Sequence, residues 1–364
     1  MVNKGRGLMR IGILSMQRVI NYGSFLQAYA LKSLVEGLGH EAFFVDIRNG
    51  EKLNFDTLSQ SLIKQKPWKH IIKRIEHVVF EKNRCLLFTQ KMFNDIGISH
   101  PVDETEVDMI IIGSDEVFNC CQESSWGCSL QLFGDTMVPA ISYAGSFGHT
   151  SYDNLKQYHL TENVAKSLKK LKSISVRDKN SFDCIEQLTG IKPFVHLDPV
   201  LVYDWSNVKD IDTYPKNYIL IYSYDNRINN EQEIRAIKEF AKREGKTLIS
   251  CGVYQRWCDK NILCEPFELL SYFDHADYVI TDTFHGTVIS IKRNKQFVTI
   301  IRDSNKNKLI ALLNFFGLES RQLQKVNQIG EIFDSKISFD YANQQIAKEQ
   351  ARTIEYLKEN LKND

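Results

Sequence analysis

The sequence predicts an α/β protein built from two parallel-sheet domains. Short apolar runs of the kind that form buried strands alternate with amphipathic helical stretches along most of the chain. At 364 residues the chain exceeds what one hydrophobic core usually serves, which favours two domains of roughly 150–200 residues. A stretch poor in apolar positions, residues 204–217 with Pro215, interrupts the alternation and reads as a linker. The expected division is therefore a first domain over residues 1–203, the linker 204–217, a second domain over 218–340, and a C-terminal helix over 341–364 that can pack back on the first domain.

In order along the chain, residues 10–15 (Arg-Ile-Gly-Ile-Leu-Ser) read as the first strand, and residues 26–38 as an amphipathic helix closed by Gly39. Between them, Asn21-Tyr22-Gly23-Ser24 puts Gly23 where backbone can approach a ligand at a helix start. Residues 42–47 complete a right-handed βαβ unit. No G-x-G-x-x-G accompanies it, so a dinucleotide site is not supported, and Asp46 at the second strand's end carries little weight without those glycines. Residues 64–91 interleave Lys64, Lys66, Lys69, Lys73, Arg74, Lys82, Arg84 and Lys91 with Trp68, Ile75, Val78, Val79 and Phe80 at helical spacing. The segment reads either as a crossover helix with a solvated basic face or as a peripheral contact with an anionic membrane surface.

Four further strand ends carry polar groups. Residues 108–112 run into Gly113-Ser114-Asp115-Glu116-Val117-Phe118-Asn119, read as a turn that brings Ser114, Asp115 and Asn119 to the ligand edge. Residues 140–143 lead to Gly145-Ser146-Phe147-Gly148-His149, residues 173–176 to Arg177-Asp178, and residues 193–197 to Asp198-Pro199. Each fits a turn or a cap taken singly; their convergence on one sheet edge points to a site. After the linker come strands over 218–222 and 247–250, helices over 230–243 and 267–275, a strand over 296–301 and a helix over 305–316 closed by Gly317.

The most informative unit of the second series is Tyr278-Val279-Ile280-Thr281-Asp282-Thr283-Phe284-His285-Gly286-Thr287, a buried strand that breaks at polar residues and enters a helix. The carboxyl end of a strand meeting a helix N-terminus favours an anion, through unpaired N–H groups and the helix dipole. His285 there reads as a general acid or a cation, with Asp282 as the carboxylate beside it. The same residues also read as a structural turn, with Asp282 or Thr283 as N-cap.

Composition narrows the function classes. Hydrophobic residues at 43% and charged residues at 25% are ordinary for a globular enzyme, and a net charge of +1 gives no general pull towards nucleic acid. The apolar run 11–14 is too short for a signal peptide, and no stretch reaches membrane-spanning length, so the chain is expected to be cytoplasmic. Eight cysteines without a C-x-x-C pair or zinc spacing read as reduced thiols, and no metal site is expected.

The stretches Asn21-Tyr22-Gly23-Ser24-Phe25-Leu26-Gln27-Ala28-Tyr29-Ala30-Leu31, Gly113-Ser114-Asp115-Glu116-Val117-Phe118-Asn119, Ser175-Val176-Arg177-Asp178, Asp198-Pro199 and Thr281-Asp282-Thr283-Phe284-His285-Gly286-Thr287, in this order, resemble the polysaccharide pyruvyl transferase family. The resemblance covers residues 10–317. It implies two Rossmann-like domains whose parallel sheets face across a cleft, as in GT-B glycosyltransferases. It also implies a cytoplasmic transferase with phosphoenolpyruvate as donor substrate, no cofactor, and a sugar or lipid-linked oligosaccharide of a cell-surface polysaccharide as acceptor. On this reading Arg177 holds the donor's carboxylate or phosphate, and Gly286 and Thr287 offer backbone N–H groups. His285 acts as acid or cation with Asp282 beside it, His149 is a second acid/base candidate, and Asp115 and Asn21 position sugar hydroxyls. Some members carry a basic residue where this chain has Thr283, which makes Arg256, Arg293 and Arg302 candidates for the missing guanidinium. The competing readings are a nucleotide-sugar glycosyltransferase of the same architecture and a non-catalytic sugar- or anion-binding partner in polysaccharide assembly.

Overall fold

A computed structural model describes residues 7–53, 71–122 and 124–362. The chain divides into two compact α/β units: Met1–Leu53 with Phe93–Trp205 and Ala342–Asp364, and Asn54–Met92 with Ser206–Tyr341.

The first unit holds a six-stranded, all-parallel sheet in the order β2-β1-β3-β4-β5-β6. Its strands are β1 (Arg10–Leu14), β2 (Glu41–Phe44), β3 (Met109–Asp115), β4 (Ala140–Gly145), β5 (Ser175–Val176) and β6 (Phe194–Val195). Every residue of β3 and β4 is buried, as expected for central strands of a parallel sheet covered on both faces. Two boundaries differ from the sequence expectation. The Gly113-Ser114-Asp115 stretch is not a turn but the end of β3, held because Gly113 stays in register with Tyr143 and Asp115 with Gly145. The first helix is Tyr22–Gly37, four residues longer at its start than apolar spacing suggested, because the Asn21 side chain caps it by accepting from the Gly23 and Ser24 N–H groups.

The C-terminal helix Asp340–Asn360 closes this unit. The Tyr356 hydroxyl donates to the Ser142 carbonyl at 2.7 Å, and the Tyr143 hydroxyl lies 3.0 Å from that of Thr353. The ring of His196 packs between Tyr143 and Tyr356 at 5.6 and 4.7 Å.

The second unit holds a five-stranded parallel sheet in the order β11-β10-β7-β8-β9. Here the strands are β7 (Tyr218–Tyr222), β8 (Thr247–Cys251), β9 (Lys260–Ile262), β10 (Tyr278–Thr281) and β11 (Phe297–Thr299). Its core joins Ile219, Ile221, Ile237, Phe240, Ile280 and Val298. The short edge strand β9 has no apolar run to announce it, and the sequence did not predict it.

The helix Ile71–Leu87 groups with this second unit, whereas sequence order placed it in the first domain. Side-chain contacts are the reason. The Tyr254 hydroxyl donates to Glu76, the His77 ring stacks on Tyr254 at 5.1 Å, and His77 pairs with Asp225 at 3.2 Å. Residues 64–70 of the expected basic segment lie outside the described residues. No described helix is long and apolar enough to cross a membrane.

Candidate active site

In an open parallel sheet, ligands bind beyond the carboxyl ends of the strands where the strand order reverses. That point falls between β1 and β3 in the first unit and between β7 and β10 in the second. Each carries a polar cluster.

At the first, Asp115 ends β3 with φ +74°, a left-handed conformation that costs a non-glycine residue roughly 1–3 kcal/mol. It is held by the Ser24 hydroxyl, which donates to Oδ2 at 2.7 Å, and by Arg177 Nη2, which donates to Oδ1 at 3.1 Å. Arg177 Nη1 donates to Asp198 Oδ2 at 2.7 Å. Asp198 also caps the short helix Pro199–Val202 through the Val200 N–H at 3.0 Å and accepts from the Ser114 hydroxyl at 3.3 Å. The Arg177 side chain is 3% exposed. Burial alone would lower its pKa, but the Asp115 and Asp198 carboxylates outweigh this and raise it, so the guanidinium is permanently charged.

Arg177, expected to hold the donor, has both ends of its fork on carboxylates of its own unit, where it joins the strand ends. The same holds for Asn21, whose side chain caps a helix, and for Gly23 and Ser24, which lie in that helix's first turn with their N–H groups on Asn21 Oδ1. Ser114 is fully buried. Asn119 accepts from the Thr150 hydroxyl at 2.7 Å and donates to Glu116 at 2.7 Å, and its amide nitrogen lies 3.3 Å from His149 Nδ1. His149 itself is exposed.

At the second reversal point, Asp282 follows β10 and is completely buried. Oδ1 accepts from the Ser223 hydroxyl at 2.7 Å, and Ser223 is the residue after β7. Oδ2 receives Arg227 Nε at 3.2 Å and Arg302 Nε at 3.5 Å. Arg302 reaches on to Glu233 with two parallel bonds of 2.8 Å, and Arg227 lies over the Tyr224 ring at 5.3 Å. Asn305 ties the loop after β11 to this point, donating to the Asp282 carbonyl at 2.7 Å. Burial raises the Asp282 pKa, and Arg227, Ser223 and Arg302 oppose that rise.

The turn beside it is built by threonines. Thr283 is the N-cap of the helix Phe284–Lys292, its hydroxyl accepting the Gly286 N–H at 2.9 Å. The Thr287 N–H goes to the Thr283 carbonyl at 3.2 Å, and the Thr287 hydroxyl meets that carbonyl and the Thr299 hydroxyl at 3.0 Å each. The N–H groups expected to cradle an anion at Gly286 and Thr287 are thus taken up inside the turn. Gly286 is there for packing: a Cβ would sit 2.1 Å from Thr281 Oγ1 and 2.8 Å from Tyr222 Cδ1. His285 is 5% exposed on the first turn of the helix, with the Phe284 ring edge-on at 5.4 Å. Asp282 turns towards the arginines.

Of the three arginines proposed to replace a basic residue at Thr283, Arg302 lies at the site. Arg293 is held by Asp274 at 2.6 Å, and Arg256 is exposed on the loop after β8. Sequence reasoning missed Ser223, Arg227 and Glu233. A usable signal existed for the first two, since the strand-end rule applied to residues 108–112 and 173–176 points equally to the residues after Tyr222.

A cavity of about 240 Å³ in the first unit, lined by residues including Arg48, Glu51, Cys128 and Asp135, contains none of the predicted site residues. All eight cysteines are free thiols, and among the described residues no group of His, Cys, Asp and Glu is placed to hold a metal ion.

The model of the polysaccharide pyruvyl transferase family matches residues 21–304. Among solved structures, the UDP-GlcNAc 2-epimerase of Methanocaldococcus jannaschii, in complex with UDP-GlcNAc and UDP, aligns at a TM-score of 0.52 with 13% identity, over 96% of this chain and 99% of that one. The UDP-GlcNAc 2-epimerase of Neisseria meningitidis bound to UDP-GlcNAc gives 0.52 at 12% identity, over 96% and 99%. At these identities the likeness is one of fold. The glycosyltransferase SsfS6 of Streptomyces sp. SF2575 gives 0.48 at 13%, over 96% and 99%. No curated protein matches the chain.

Proposed function

Because the chain belongs to the polysaccharide pyruvyl transferase family and is thereby a transferase, we propose that it moves the enolpyruvate-derived group of phosphoenolpyruvate onto a sugar of a cell-surface polysaccharide, closing a pyruvate ketal across two hydroxyls. The observation that carries the choice of donor is the guanidinium of Arg227, set by its Nε on Asp282 just beyond β10, with Arg302 held behind it on Glu233. A donor bearing both a carboxylate and a phosphate needs planar cationic forks. The Arg227 side chain keeps 25% of its surface exposed while its position is fixed by a buried acid. It supplies what Thr283 lacks.

In the proposed reaction, His285 donates a proton to the donor's methylene carbon, which becomes a methyl group. The neighbouring carbon, now cationic, is attacked by a sugar hydroxyl that loses its proton. The C–O bond to phosphate breaks, inorganic phosphate departs with the electron pair, and a second hydroxyl closes the ketal as its proton is removed. Arg227 neutralises charge on the leaving phosphate.

A thermal-shift titration with phosphoenolpyruvate, UDP and GDP, on wild type and Arg227→Ala, tests the donor. A ligand that binds only the folded state stabilises it by about 2.7 kcal/mol at a hundred times its dissociation constant. The expected result is a shift with phosphoenolpyruvate that Arg227→Ala loses. A shift with a nucleoside diphosphate alone moves the assignment to a nucleotide-sugar transferase.

A further inference from the structure

The helix Ile71–Leu87 has two unlike faces. One is spent on the second unit: Glu76 accepts from Tyr254, His77 and Phe80 pack on the Tyr254 ring at 5.1 and 5.7 Å, and Arg84 Nη1 reaches the Gly252 carbonyl. The other carries Ile75, Val78, Val79 and Leu86, which are 57%, 62%, 51% and 38% exposed, with Lys82 among them. At 3.6 residues per turn these five positions fall in one stripe about 100° wide, roughly opposite the packed face. The face turned to solvent therefore carries an apolar stripe, with the exposed basic side chains Arg74 and Lys82 at its border and within it.

Charge decides what this face fits. Residues 73–91 contain five basic side chains, Lys73, Arg74, Lys82, Arg84 and Lys91, against two acids, Glu76 and Glu81. Lys82 within the stripe and Arg74 at its border are both exposed, while Glu81 is paired with Arg84 and Glu76 is directed to Tyr254 on the packed face. A second copy of the same face, related by a two-fold axis, would bring these cations against one another. Anionic headgroups complement them, since a lysine within an apolar stripe can lay its aliphatic stem along the surface and keep its ammonium at headgroup level.

We propose that this face is a peripheral docking surface for an anionic lipid bilayer, with Ile75, Val78, Val79 and Leu86 entering the headgroup–acyl boundary and Arg74 and Lys82 contacting lipid phosphates. The test is co-sedimentation of the full chain with vesicles of phosphatidylcholine alone and of equal parts phosphatidylcholine and phosphatidylglycerol. Wild type binds the mixed vesicles and not the neutral ones. Arg74→Gln with Lys82→Gln weakens that binding about twenty-five-fold, at about fivefold for each basic residue near the surface. Ile75→Ser with Val78→Ser abolishes it, and neither pair moves the unfolding midpoint because all four side chains are exposed. Failure of wild type to bind the mixed vesicles, or binding that neither pair weakens, overturns the proposal. So does a dimer in sedimentation velocity without lipid that Ile75→Ser with Val78→Ser disperses, since a second copy would then cover the stripe.

Discussion

The hydroxyl of Ser223 stands 2.7 Å from Oδ1 of Asp282 and thereby joins the ends of β7 and β10, the two strands between which the order of the second sheet reverses. Asp282 is thus fixed from one side by a neutral donor and from the other by two cations. Its pKa is raised, first by burial, so the folded state binds more protons than the unfolded state between the ordinary carboxylate value and the raised one. Stability therefore falls as pH rises through that window. Asp282→Asn is expected to remove this slope in urea unfolding curves recorded from about pH 3.5 to 7, bracketing the ordinary carboxylate value. By leaving Arg227 and Arg302 less neutralised, it should also tighten phosphoenolpyruvate binding measured by calorimetry.

Arg177 ties Asp115 to Asp198. Removing it leaves Asp115 and Asp198 buried without their common partner, so Arg177→Ala should cost roughly 3–5 kcal/mol in equilibrium unfolding. Arg177→Lys should recover little of this, because one ammonium does not reproduce a fork that spans two carboxylates. Arg227→Ala, at a partly exposed side chain, should cost only about 1 kcal/mol while losing donor binding.

These contrasts mark the limit of what the sequence discloses. Apolar runs announce the long strands, and the break at Thr281-Asp282-Thr283 announces a strand-to-helix turn. Which polar group meets which is decided by strand order. Arg177 meets Asp115 across 62 residues and Asp198 across 21, and no local pattern distinguishes a guanidinium facing two acids from one facing solvent. The first turn of the Tyr22 helix was obscured for a related reason: Gly23 and Ser24 look like loop residues until Asn21 is recognised as their cap. The helix Ile71–Leu87 carries its amphipathic pattern openly, yet only the aromatic contacts with Tyr254 say which unit it serves.

Gly286→Ala should destabilise the second unit by roughly 1–3 kcal/mol, because the added methyl meets Thr281 Oγ1 at 2.1 Å and the buried strand end cannot yield. Adding Thr281→Ala removes the nearest obstacle. The double variant should therefore be more stable than the sum of the two single changes predicts, which a double-mutant cycle in thermal unfolding measures.

His196 supplies an acid limb. Burial pushes its pKa down to about 4, with Arg352 adding to the effect, so the ring is neutral in the fold, with its Nδ1 2.8 Å from the Ser175 hydroxyl. The unfolded chain takes up a proton near pH 6.5 and the folded chain only near pH 4. Stability is thus complete above the higher value and lost progressively as pH falls to the lower, by an amount of the order of 3 kcal/mol. His196→Phe should flatten this limb in urea unfolding between those two pH values, whatever its effect at neutral pH.

The helix Asp340–Asn360 completes the first unit from the far end of the chain, with Thr353 and Tyr356 set against Tyr143 and Ser142. During synthesis, strands β1–β6 are made before the second unit is complete, and the Tyr143 and His196 rings lack their Tyr356 neighbour until that unit has been made. The usual order in which an N-terminal domain finishes folding before its successor is translated is therefore inverted. The second unit has all of its segments once residue 341 is made, whereas the first still lacks the segment Ala342–Asp364.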